Sequence, residues 1–118
     1  NGYDDRLEEV ASLWRAMDAF GREKARWLPY WKNADLVRPE HEAVKVSLYT
    51  RGKEGALLVV SNLSAEARTA KVELNLKRLG LSAGAKAVDA RTNEPVTLEN
   101  GRLAVELGAF DYALVRVR

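Results

Sequence analysis

Residues 89–118 read DARTNEPVTLENGRLAVELGAFDYALVRVR, and this stretch decides the fold class. Leu103, Val105 and Leu107 recur at every second position, the period of a half-buried strand. Asn100-Gly101 stands between that run and Val96-Thr97-Leu98. It is the strongest short-range hairpin signal in the chain, because a type I′ turn needs positive φ at both central residues. Thr92-Asn93-Glu94-Pro95 makes the preceding turn. Tyr112 to Val117 forms the closing strand, with Arg116 and Arg118 on its polar side.

The same cadence extends towards the N-terminus. Val44, Val46 and Leu48 alternate with Lys45, Ser47 and Tyr49, again a strand with one wet face. Arg51-Gly52-Lys53-Glu54-Gly55 reads as a five-residue hairpin loop whose glycines supply positive φ. Ala56 to Val60 is apolar throughout, the pattern of a central strand covered on both faces. Val72, Leu74 and Leu76 mark a further strand, closed by Leu79-Gly80-Leu81 and a short helical turn. Ala85 to Ala90 is a strand of small residues. The expectation is an antiparallel β-sandwich of about seven strands over residues 39–118, in Greek-key or meander order.

Residues 1–38 read differently. Asp5 and Glu8 have the spacing of a capping box. Leu7, Val10, Ala11, Trp14 and Met17 form a stripe on a 3.6-residue period, widened by Leu13 and Phe20. Gly21 is placed to end the helix in the left-handed region. A helix over residues 6–20 follows. Asp18 lies within the stripe's angular range, where it is either a site carboxylate or a rim group paired with Arg22 four residues on. Pro29 in Trp27-Leu28-Pro29-Tyr30-Trp31 forbids a continuing helix. All three tryptophans precede residue 32. Flat aromatic faces suit the C–H faces of pyranose rings, so Trp27, Tyr30 and Trp31 are candidates for sugar stacking. Packing is the commoner use of such rings, so they are expected rather to pin the helix and linker onto the sandwich or, together with Trp14, to dock against another domain.

Composition bounds the function. The 118 residues are 47% hydrophobic and 31% charged, an ordinary globular balance and enough for one core. A net charge of +2 falls short of the concentrated basic stripe that nucleic acid requires. Cysteine is absent, which excludes disulfides and thiolate metal sites. No apolar run approaches the ~20 residues of a membrane span, and no signal peptide pattern is present. The chain opens at Asn1 and is expected to be processed or excised from something longer.

Candidate chemistry is sparse. His41 is the single histidine and sits in Pro-Glu-His-Glu, where adjacent Glu40 and Glu42 point apart, so a solvated linker is expected rather than a site. Asp89, Glu94, Glu99 and Asp111 are the acids of the β region. They would serve glycosidic acid–base chemistry only if two were held ~5–10 Å apart across a cleft, and turn residues are commonly acidic for backbone hydrogen bonding alone. No phosphate-cradling glycine loop occurs. Asn62-Leu63-Ser64 matches the N-glycosylation acceptor pattern, and a turn explains the triplet equally.

These residues carry a resemblance. The order Leu58-Val59-Val60-Ser61-Asn62-Leu63-Ser64, Lys71 to Leu76 with Leu79-Gly80-Leu81, Val88-Asp89-Ala90-Arg91-Thr92-Asn93-Glu94 and Phe110-Asp111-Tyr112 resembles the C-terminal β-sandwich of large bacterial glycoside hydrolases, α-galactosidase-like enzymes among them. There it follows a catalytic (β/α) barrel. Phe20-Gly21 and Pro29-Tyr30-Trp31 look like the passage joining barrel to sandwich. Asn93 stands where such domains have glycine, and asparagine tolerates the left-handed region. The family's catalytic carboxylates lie on barrel strands and match no position here. The resemblance therefore implies a non-catalytic accessory domain without a cofactor, partnered by the barrel of its own secreted or periplasmic parent chain. The residues leave two rivals open: a carbohydrate-binding module on Trp27, Tyr30 and Trp31, and a small independent glycosidase.

Overall fold

The computed structural model describes the backbone of residues 2–118 and the side-chain surroundings of residues 11–21 and 23–118. Among these there is one α-helix, α1 (Gly2–Phe20), and nine strands. The strands are β1 (Arg26–Leu28), β2 (Val37–Pro39), β3 (Val44–Thr50), β4 (Ala56–Asn62), β5 (Arg68–Leu74), β6 (Ala87–Asp89), β7 (Pro95–Glu99), β8 (Arg102–Leu107) and β9 (Tyr112–Val117).

The fold is mainly β and antiparallel, with one helix, as expected, but it has nine strands where seven were expected. The two extra strands come from the aromatic passage: β1 pairs with β3 through Trp27 opposite Tyr49, and β2 pairs with β5 through Val37 opposite Leu74. Three-residue strands carry too little periodicity to be read in isolation, and β1 stops before Pro29 while β2 ends in Pro39. Each is an edge strand, where a missing N–H is tolerated.

The strand order β1-β3-β4-β9-β6-β7-β8-β5-β2 is one continuous sheet curled into a half-barrel. The hinge is β7. Its start, Pro95 and Val96, pairs with β6, while Thr97, Leu98 and Glu99 pair with β8. The concave faces of both limbs share one core, with Val46, Leu48, Leu58, Val60 and Val115 from one side and Val72, Leu74, Leu103, Val105 and Leu107 from the other. The run between β1 and β2 crosses from one edge to the other. Buried Asn33 secures that crossing by donating from Nδ2 to the carbonyls of Leu28 (3.2 Å) and Val46 (2.8 Å).

The helix lies on the convex face. Leu13, Ala16, Met17 and Phe20 pack on Leu57, Val59, Leu114 and Tyr49. β4 is therefore covered on both faces, as its unbroken apolar run predicts. The contact stripe is rotated from the expected one: Trp14 stands 46% exposed, while Ala16, which lies off the expected stripe, is buried against the sheet. The helix starts at Gly2, a turn earlier than expected. The Asp5–Glu8 capping pair, the stripe positions Leu7 and Val10 and the Arg22 partner of Asp18 involve side chains outside the described residues. Gly21 ends the helix with φ of 80°, as expected.

Candidate functional site

The convex face beside α1 gathers the aromatic residues. Side chains alternate along β3, so Lys45, Ser47 and Tyr49 point outward while Val44, Val46 and Leu48 enter the core. Trp27 lies directly across from Tyr49, and their ring centroids are 4.7 Å apart. Pro29 then turns the chain into a single 3-10 turn, Tyr30–Lys32. The Tyr30 N–H donates to the Ser47 hydroxyl at 3.1 Å, which fixes this turn over β3. Trp31 meets the Tyr30 ring edge-to-face at 5.0 Å. The Lys45 ammonium lies 5.6 Å from the centroid of the Tyr30 ring, within cation–π range.

The structure thus brings together three of the four candidate rings, Trp27, Tyr30 and Trp31, along the β1–β3 edge. Trp14 sits apart in sequence on α1, whose packed face borders Tyr49. Exposure is 46% for Trp14, Trp27 and Tyr30 and 67% for Trp31. Tyr49 was not singled out in the sequence. Its signal was its place on the polar side of an alternating strand, where an aromatic residue needs a reason.

The acids are occupied by turns. Asp89 Oδ1 accepts the N–H groups of Arg91 (2.8 Å) and Thr92 (3.1 Å). Asp111 Oδ1 accepts the Tyr112 N–H at 2.8 Å. Glu94 and Glu99 are exposed at the two ends of β7. His41 is exposed, and its Nδ1 accepts the Ala43 N–H at 3.0 Å. Among the described residues, no group of three or more His, Asp or Glu side chains is arranged to hold a metal ion, and no helix is long and apolar enough to cross a membrane. Burial, and then the neighbouring Arg118, pull the Arg116 guanidinium below its ordinary value. Arg116 donates to Asn93 Oδ1 at 3.2 Å, so this cation braces the β6–β7 turn.

Several concavities mark the surface, two of which border residues singled out above. An open groove of about 900 Å³ runs beside β2 and β5, lined by Arg38, Glu73, Asn75 and Asn100 among others, and a smaller hollow of about 250 Å³ lies between Tyr30, His41 and Lys45. In the large groove Asp35 is held by Arg78 at 3.1 Å.

Comparison with known proteins gives one match. Residues 9–100 match the family described as glycoside hydrolase 123, C-terminal domain. No curated protein and no solved structure matches the chain.

Proposed function

Because the chain belongs to the family of glycoside hydrolase 123 C-terminal domains, we propose that it is a non-catalytic accessory domain that docks on a catalytic barrel in the same polypeptide and stabilises it. The observation that carries this reading is the row of exposed rings, Trp27, Tyr30 and Trp31, beside a helix already seated on the convex face. Clustered exposed aromatic side chains mark contact surfaces. In this reading residues 1–38 are the passage from the barrel and residues 39–118 the body. The two limbs of the curled sheet are the layers of a sandwich joined through β7. The engagement of Asp89 and Asp111 in turns supports a scaffold over an independent glycosidase.

The test uses the parent polypeptide and the isolated chain in parallel. Trp27→Ser with Trp31→Ser should cost the isolated chain about 1–2 kcal/mol, since Trp27 gives up its ring contact with Tyr49 and Trp31 its contact with Tyr30. In the parent the pair should weaken inter-domain contact by about 2 kcal/mol or more, read as a lower melting temperature and faster proteolysis between domains. A parent that loses no more than the isolated chain would exclude docking through this face.

The 67% exposure of Trp31 favours one second reading, stacking on pyranose rings. Oligosaccharide titration followed by tryptophan fluorescence separates the two, since saturable quenching that Trp31→Ser abolishes belongs to a carbohydrate-binding module alone.

A further inference from the structure

The described residues hold three non-glycine positions with positive φ: Asn93, Asn100 and Phe110. Asparagine suits such backbone, whereas a bulky side chain there is an outlier. Phe110 has φ of 50° and is 70% exposed. It is thus strained and gains little burial among the described residues. Beside it, Leu63 is 58% exposed, and the Phe110 N–H donates to the Ser64 carbonyl at 3.0 Å. Ala65, Ala67 and Ala109 of the same two loops are exposed as well.

The base under these side chains is built. Asn62 is fully buried and donates from Nδ2 to the carbonyls of Glu66 (2.8 Å) and Gly108 (2.9 Å), while its Oδ1 accepts from the Ser64 hydroxyl at 2.8 Å. One amide ties the β4–β5 loop to the β8–β9 loop. The apolar tip is held in place before any partner arrives, which lowers the ordering cost of contact.

We propose that this tip is a second docking point, where Phe110 and Leu63 enter an apolar pocket on the catalytic domain of the same polypeptide. The inference rests on the reading that such a domain shares the chain. The size of the patch selects the occupant. An aromatic side chain buries ~150–250 Å², so Phe110 and Leu63 together offer a few hundred Å². That is well below the ~800 Å² per partner of a stable free complex, which argues against a second copy. A tethered domain, at an effective concentration near the millimolar range, needs no more.

Phe110→Gly and Leu63→Ser, each in the isolated chain and in the parent polypeptide, test the proposal. Phe110→Gly relieves strain, so the isolated chain should keep its Tm or gain up to about 5 °C. In the parent the same change should lower the Tm. Leu63→Ser should leave the chain unchanged and lower the parent's Tm, which decides the matter if glycine loosens the loop itself. Amides of residues 62–67 and 108–111 should exchange about tenfold slower in the parent. Equal shifts in chain and parent for both variants, with equal exchange, overturn the tip. The Trp27→Ser, Trp31→Ser pair in the same parent separates the two readings. If that pair undocks the domains while the tip variants do not, the tip falls and the convex-face reading stands. The reverse result sinks the convex face and keeps the tip.

Discussion

Asn62 combines a glycosylation pattern with complete burial. Its amide is spent on three partners inside the fold, so the acceptor nitrogen is out of reach of a transferase in the folded state. Folded protein incubated with the transferase and its glycan donor should gain no mass at residue 62. Asn62→Ala should cost about 1–3 kcal/mol by denaturant melt, since it removes three hydrogen bonds made by a fully buried side chain. The turn residues were legible because their demands are local. Asn93, Asn100 and Gly101 all take the positive φ that their sequence contexts predict. At Gly101 a Cβ would stand 2.9 Å from the Leu74 carbonyl, so Gly101→Ala should destabilise by about 1–3 kcal/mol. The burial of Asn62 was not legible, because one of its carbonyl partners, Gly108, lies 46 residues away.

At the scale of elements, α1 shows where periodicity stops being sufficient. The sequence offers a face about half the circumference wide, and the sheet chooses the 13–16–17–20 side of it. The choice is fixed at the helix C-terminus by Arg51 of the β3–β4 loop. Its Nη1 donates to the Phe20 carbonyl at 2.9 Å, and its Nη2 meets Glu54 at 3.0 Å. A carbonyl left open by the end of the helix is thereby capped from another element. Arg51→Met should cost about 1–2 kcal/mol and speed amide exchange in residues 16–21 more than in β4. Gly21→Ala should reach the same contact from the other side, since a Cβ there would lie 2.9 Å from Arg51 Nη1. Uniform acceleration across helix and sheet in either variant would mean that Arg51 supports the whole fold rather than this junction.

At the scale of the molecule, one core joins both limbs of the curled sheet. Leu58, fully buried at its centre, should cost about 2–5 kcal/mol on replacement by alanine. Unfolding should remain a single transition by tryptophan fluorescence and by far-ultraviolet circular dichroism. Separate melting of the two limbs would contradict a shared core. Residue order alone specified the antiparallel β class, six of the strands near their true bounds, the turns with their left-handed residues, and the likeness to a glycoside hydrolase C-terminal domain. Each of these depends on a period of two, a turn dipeptide or a local residue order. Tertiary structure decided the rest. It recruited β1 and β2 to the sheet edges, switched partners midway along β7, turned Trp14 outward and Ala16 inward, and left Phe110 strained and exposed. Those outcomes depend on which surfaces meet across the curled sheet, and a strand's alternation specifies its two faces without naming what will cover them.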